Sequence, residues 1–149
     1  MRALIQRVTH ASVTIDGTEV AAIGHGLLIL LGVATDDGEA DVDYLVRKTS
    51  QLRIFDDENG VMNLDVRQVD GEALVVSQFT LQAATRKGNR PSYINAAGEA
   101  VAVPLYESFK AKLAAALGKS VPSGRFGADM KVSLLNDGPV TIWLDSKGA

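Results

Sequence analysis

The sequence predicts an α+β fold, in which a mixed, largely antiparallel sheet is covered on one face by two amphipathic helices. Three observations predict it. Segments of strand character dominate the chain. Turn signals at Asp16-Gly17, at "ENG" (58–60) and at "VDG" (69–71) separate them at short intervals. Only two stretches carry helical periodicity, so the strands do not alternate with helices as a regular βαβ series would require.

The elements follow in order. "ASVTI" (11–15) alternates apolar and polar residues, the period of a half-buried strand. Asp16-Gly17 then signals a hairpin, with "TEVAAI" as the partner strand. "LLILLGVA" is apolar on both faces and reads as a central strand. From Glu39 to Leu52, Val42, Leu45, Val46, Thr49 and Leu52 recur at helical spacing. Acids early in that stretch and bases late in it suit the helix dipole. "NLDVRQV" and "EALVVSQFTL" read as two more strands, and "TRKGNRPS" (85–92) as a loop broken by Gly88 and Pro91. A second helix is predicted over Val103–Leu117. Pro104 sits in its first turn, Leu105, Phe109, Leu113 and Ala116 form its buried stripe, and Gly118 stops it. Strands around "MKVSLL" and "PVTIWL" close the chain. Between them, "LLNDGPVTIWL" places Gly138-Pro139 among strong strand formers, although Gly weakens a strand and Pro cannot donate to its ladder. Either this is a plain turn between two strands, or the backbone itself has a task there.

Composition narrows the function. The 149 residues suffice for a single domain over 1–149 with a real core. The longest apolar run, Gly26 to Ala34, is far shorter than the roughly 20 residues of a spanning helix. The opening "MRALIQRVTHASV" turns polar at once and reads as no secretory signal, so a cytoplasmic home and no membrane partner are expected. Absence of cysteine excludes disulfides, thiolate nucleophiles and Cys-zinc sites. A net charge of −3 argues against a broad nucleic-acid-coating surface, DNA included, but leaves room for a local basic patch.

Most catalytic signatures fail. "GKS" (118–120) lacks the earlier glycine of a phosphate-binding loop, since position 113 is Leu, and reads as a helix cap. "GHG" (24–26) leads into a strand and has Ile at position 29, so it reads as a turn. His10 and His25 have no neighbouring ligands in sequence, which speaks against zinc. No G-x-S-x-G elbow occurs. What survives is weaker. "SQFTL" (77–81) gathers small hydrogen-bonding groups at the end of an apolar strand, and on pattern alone reads first as a strand running into a solvated loop. "RKGNRPS" packs Arg86, Lys87 and Arg90 around Gly88, as either a phosphate-holding or a solvated loop.

Taken together, "SQFTL", "KGNRPS", "FGADM" and "NDGPVT", in this order and at these separations, resemble the D-aminoacyl-tRNA deacylase family. The opening "MRALIQRVTHASVTIDG" resembles that family's start, and the likeness runs from Met1 to about Leu144. The resemblance implies a curved, barrel-like sheet in a two-fold homodimer. It implies hydrolysis of the ester between a D-amino acid, or mischarged glycine, and the terminal adenosine of tRNA. Neither a metal nor an organic cofactor is implied; the partners are the aminoacyl-tRNA acceptor end and a second copy of the chain. It assigns Ser77, Gln78, Phe79 and Thr80 to the catalytic pocket, with backbone N–H groups near Phe79 and Thr80 as oxyanion donors, and Met130 to the adenosine. It makes Gly138-Pro139 a cis pair that one subunit inserts into the other's site to reject L-amino acids, with Arg7 as its brace. Whether Thr80 or the ribose hydroxyl of the substrate assists the chemistry stays open. Two other functions compete: a non-enzymatic, homo-oligomeric module that binds a metabolite or an RNA end, and a general esterase indifferent to chirality.

Overall fold

The computed structural model describes residues 1–148. Its spine is β1 (Arg2–Ile15), hydrogen-bonded along both edges. One edge pairs antiparallel with β3 (Gly26–Gly32) through residues 2–8 and with β2 (Thr18–Ile23) through residues 11–15. The other edge pairs antiparallel with β7 (Lys131–Asp145). β3 in turn lies parallel to β6 (Glu72–Ser77). The connection between β3 and β6 carries helix α1 (Glu39–Gln51) and a small hairpin, β4 (Phe55–Asp56) and β5 (Met62–Leu64). Helix α2 (Glu99–Leu117) lies between β6 and β7 in the chain and packs beside α1.

The sheet has a core on each face. On the helix side, Ala3, Ile5, Leu27, Ile29, Leu31 and Val75 meet Val42 and Leu45 of α1 and Tyr106, Phe109 and Leu113 of α2. Inside the curl of the sheet, Val8, Ala11, Val13, Leu28, Leu74 and Val76 form a second cluster. The apolar run of β3 therefore fills both faces, as its sequence predicts. β1 changes sides partway along. Val8 pairs with Asn136 and His10 with Leu135, so Thr9 is an extra residue on β1. Such a bulge bends a strand and sharpens its twist. Ala3 and Ile5 face the helices before it, and Ala11 and Val13 face the curl after it.

Several sequence expectations need correction. "NLDVRQV" is a strand only to Leu64, because the Asp65 carboxylate accepts the backbone N–H groups of Arg67 and Gln68 and folds the chain into a turn. α2 begins at Glu99 rather than Val103, which puts Pro104 in its second turn; the carbonyl that would have taken its missing N–H belongs to Ala100, an exposed residue. Leu105, Phe109 and Leu113 are buried as expected, but Ala116 is exposed, and Tyr106 completes the stripe in its place. The two closing strands are one, β7, interrupted by a bulge. "SQFTL" does not end a strand: β6 stops at Ser77, and Phe79–Gln82 forms a 3-10 turn.

The start of α1 is tied to the chain beyond β7. The Asp41 carboxylate accepts hydrogen bonds from the Ser146 hydroxyl (2.7 Å) and the Gly38 N–H (2.9 Å), with the Lys147 ammonium at 3.3 Å. Burial alone would raise its pKa, but these donors outweigh burial and hold it at about 2, below the ordinary 3.8. A depressed carboxylate stabilises the fold above its unfolded pKa and loses that contribution as pH falls through the folded value. Asp41→Asn should therefore cost on the order of 1 kcal/mol at neutral pH, with the deficit shrinking between about pH 4 and pH 2. Urea denaturation of both proteins across that range checks it; a deficit independent of pH would refute the assignment.

Candidate active site

The turn that follows β6 is fastened to the end of β3 by backbone contact. Gln78 N–H donates to the Leu31 carbonyl at 2.8 Å. The buried Gln82 side chain donates through Nε2 to the Gly32 carbonyl at 2.9 Å. Gly32 makes the approach possible: a Cβ there would lie 2.8 Å from the Gln78 carbonyl oxygen and 3.0 Å from Leu81 Cβ. Strand and turn thus meet main chain to main chain. Phe79 and Thr80 open the turn, and their N–H groups have no hydrogen-bond partner among the described residues. This follows from geometry, since the first amides of any helical turn lie beyond reach of its own carbonyls.

The turn faces a cleft of about 260 Å³. Leu31, Val33 and Val76 form its floor, with Ala102 and Tyr106 of α2 on one side and the segment Phe126–Met130 on another. Ser77, Gln78 and Phe79 line it together with Met130, so four of the residues expected at the site meet in one place. Thr80 stands exposed beside the cleft, and its Oγ1 accepts a hydrogen bond from the Gln78 side-chain amide. An amide is not a base, so this contact does not activate the hydroxyl as a nucleophile. Tyr106 and Phe126 were not singled out by sequence reasoning. The signal for Tyr106 was present, because it shares a helix face with Phe109 and Leu113 at intervals of three and seven residues. Burial pushes the Tyr106 hydroxyl up to about 12, so it stays a neutral phenol, and the Phe126 ring packs edge-on against it at 5.8 Å.

Gly138 and Pro139 lie elsewhere. Across β1, Gln6 pairs with Thr141 and Val8 with Asn136, so residues 137–140 of β7 stand opposite Arg7 alone. Arg7 is buried and braces this bulge. Its Nε donates to the Asp137 carbonyl (3.0 Å) and its Nη1 to the Ile54 carbonyl (2.7 Å), with the Asp56 and Asp137 carboxylates at 3.4 and 3.5 Å. Asn136 Oδ1 accepts the Val140 N–H at 2.9 Å and closes the bulge from inside. Gly138 has φ +136°, and a Cβ on it would lie 2.8 Å from Val140 Cγ2 and 3.1 Å from Arg7 Nη2, so no side chain fits there. The Gly138–Pro139 bond is cis. Both residues are exposed, and neither they nor Arg7 line the cleft of their own chain.

A polar turn with unpaired amides, set at a strand end against an apolar cleft, makes a candidate small-substrate site on a curled α+β scaffold. The scaffold matches a solved structure described as "c-Myc DNA Unwinding Element Binding Protein", with a TM-score of 0.92, 42% identity, and 97% and 98% of the two chains covered. It also matches the fold of one described as a probable eukaryotic D-amino acid tRNA deacylase, with a TM-score of 0.83 at 16% identity and 96% and 97% coverage. D-aminoacyl-tRNA deacylases from Chromobacterium violaceum and Porphyromonas gingivalis are 60% and 61% identical to the chain, over 99% and 98% of its length and 98% and 97% of theirs. The family model described as D-Tyr-tRNA(Tyr) deacylase matches residues 4–145. The chain belongs to the D-Tyr-tRNA(Tyr) deacylase family, and it is a hydrolase.

The contact at Gly32 generates a prediction. Gly32→Ala must displace the turn carrying Gln78 to Leu81, because the new methyl meets a backbone carbonyl rather than a yielding side chain. We expect turnover to fall at least about tenfold, equivalent to a barrier higher by about 1.4 kcal/mol. The protein should still unfold cooperatively on heating. A variant that folds and retains full turnover would show that the turn's seat on β3 does not set the geometry of the site.

Proposed function

We propose that this protein hydrolyses the ester joining a D-amino acid, or mischarged glycine, to the terminal adenosine of tRNA, and spares L-aminoacyl-tRNA. The observation that carries the reading is the Ser77–Thr80 turn at the cleft, with two unpaired backbone amides and, among the described residues, no base hydrogen-bonded to either of its hydroxyls, Ser77 or Thr80. Substrate adenosine lies against the apolar wall that includes Met130. Its ester carbonyl points to the Phe79 and Thr80 amides, which stabilise the oxyanion as water adds. The ester C–O bond then breaks, and the ribose oxygen leaves with a proton. The neighbouring ribose hydroxyl, held beside the ester at high effective concentration, assists these proton movements. Ser77 and Gln78 orient the ester, and Gln78 holds the Thr80 hydroxyl in place.

Chirality is read by Gly138-Pro139 entering the cleft of a second copy. What supports this is their exposure, their separation from the cleft of their own chain, and the rigid seat that Arg7 and Asn136 give them. D- and L-amino acids carry the same groups and differ only in their arrangement about Cα. A backbone wall on one side of Cα admits hydrogen and clashes with an L side chain, whatever that side chain is. Glycine passes for the same reason. Two-fold exchange of this kind gives a homodimer. β7 supports it further, since among the described residues its outer edge is unpaired, and Leu135 and Trp143 of this strand are exposed, a surface that monomers usually protect. The expected site of action is the cytoplasm.

Two experiments test the reading. Single-turnover deacylation of D-, L- and glycyl-tRNA should show cleavage of the first and third and sparing of the second. Thr80→Ala should keep substantial activity, while a tRNA ending in the corresponding deoxyribose reacts very slowly. If Thr80→Ala folds and binds yet abolishes cleavage, and the deoxy substrate reacts normally, the ribose-assisted route is wrong; if the ester survives the wild-type protein, the chain is a binding module. Sedimentation should find the active species to be a dimer, and a monomer that still rejects L-aminoacyl-tRNA would overturn the shared site.

A further inference from the structure

From Ala73 to Gly98 the chain contains no Asp or Glu, yet within that span it places Arg86, Lys87 and Arg90, in a protein of net charge −3. The three cations sit on one exposed hairpin, closed where Ala84 and Ser92 exchange both backbone hydrogen bonds at 2.8 Å. None of the three forms a salt bridge among the described residues, a state shared with Arg47, Lys48, Arg53 and Arg125 but not with Lys110, Lys112, Lys119, Lys131 or Lys147. The chain leaves this hairpin directly into Tyr93, whose ring packs edge-on against Phe79 at 5.0 Å. Phe79 lines the cleft, and both rings are exposed, at 54% and 40%. The next stretch is pinned to the end of β3 by Thr35 N–H to the Asn95 carbonyl and Ala97 N–H to the Val33 carbonyl, so the aromatic pair has a fixed seat. Neither ring belongs to a core cluster, and the fold gives no account of their exposure.

An aromatic face beside the cleft, continued by unpaired cations on an acid-free stretch of chain, has the chemistry of a single-stranded polynucleotide site: bases stack on rings, and phosphates meet Arg and Lys. We propose that Phe79, Tyr93 and the Arg86–Arg90 hairpin form a track for the unpaired nucleotides that precede the terminal adenosine, with a base stacked on the aromatic pair and the phosphates on the hairpin. This rests on the deacylase reading of the cleft and extends it outward along the RNA. The track holds the strand by its backbone and by stacking, so it adds affinity without selecting a sequence.

The test uses three substrates: D-aminoacyl-adenosine, the D-aminoacyl trinucleotide CCA, and D-aminoacyl-tRNA. The wild-type protein should gain kcat/KM on extension from adenosine to CCA. In the variant Arg86→Gln/Lys87→Gln/Arg90→Gln that gain should fall at least about tenfold, while hydrolysis of D-aminoacyl-adenosine, which carries no phosphate, stays unchanged. The slope of log KM for tRNA against log salt should drop by about 2, for three contacts on a single strand. A 2-aminopurine at the second-last position of a non-hydrolysable CCA analogue should lose its stacking-induced quenching in Tyr93→Leu. If D-aminoacyl-tRNA is not hydrolysed by the wild type, the deacylase reading fails. If it is hydrolysed but the triple variant keeps the full CCA gain and the full salt slope, the track is refuted and the deacylase reading stands. If the variants instead alter sedimentation, the surface belongs to a protein contact and the track is equally refuted.

Discussion

β1 is hydrogen-bonded along both edges for nearly its whole length, and the two breaks in its pairing with β7 set much of the rest of the structure. At Thr9 an extra residue bends the strand, so that its first half serves the helix-side core and its second half the interior of the curl. At Arg7 the partner strand carries the surplus, residues 137–140. A buried guanidinium is costly unless its donors are met. Here the carbonyls of Ile54 and Asp137 meet it from two different elements, which couples the bulge to the small β4–β5 hairpin. The same side chain therefore satisfies its own charge and fixes the shape of the most exposed turn on β7.

The other functional segment obeys the same logic at the end of β3. A strand buried on both faces cannot continue into solvent with its backbone unpaired, and Gln78 N–H and Gln82 Nε2 take the carbonyls of Leu31 and Gly32. Those bonds turn the chain, and the turn leaves the amides of Phe79 and Thr80 outward over the cleft. The core and the site are thus one construction. Leu31 and Val76 pack the sheet and also floor the cleft, and Tyr106 fills the helix core while walling it.

Much of this was legible in the sequence, because it rests on period and punctuation. The doubly apolar β3, the Asp16-Gly17 hairpin and the stripe of α1 depend on spacing alone. The failures share a cause in contacts that spacing does not encode. "NLDVRQV" has strand composition, but one carboxylate at Asp65 captures two amides and turns the chain. "SQFTL" looked like a strand end because nothing local announces the pull of Leu31 and Gly32 from another part of the chain. At the site, Ser77, Gln78, Phe79 and Met130 were reached through family resemblance rather than chemistry, since none is a recognisable acid, base or ligand. Tyr106 was missed although its helical position gave it away. Gly138-Pro139 stands out as an anomaly from sequence, whereas its brace on Arg7, which joins residues more than a hundred positions apart, is legible only through the family resemblance.

A site built this way has a particular chemical character. The two unpaired backbone amides over the cleft do not titrate, and neither do Ser77, Gln78 or Met130 in the range where proteins work. Tyr106, the buried phenol in the cleft wall, is held as a neutral group by its surroundings. Side-chain catalysts must be given the right protonation state as well as the right position; backbone groups need only position. Here position comes from close contacts, with main chain at Gly32 for the turn and with the Val140 and Arg7 side chains at Gly138 for the bulge, and in both cases the contact requires that no Cβ intervene. Backbone groups are also blind to side-chain identity. On the function proposed above, an enzyme that distinguishes many different amino acids only by handedness would have reason to read its substrate with the one part of the protein that has no side-chain preference to impose.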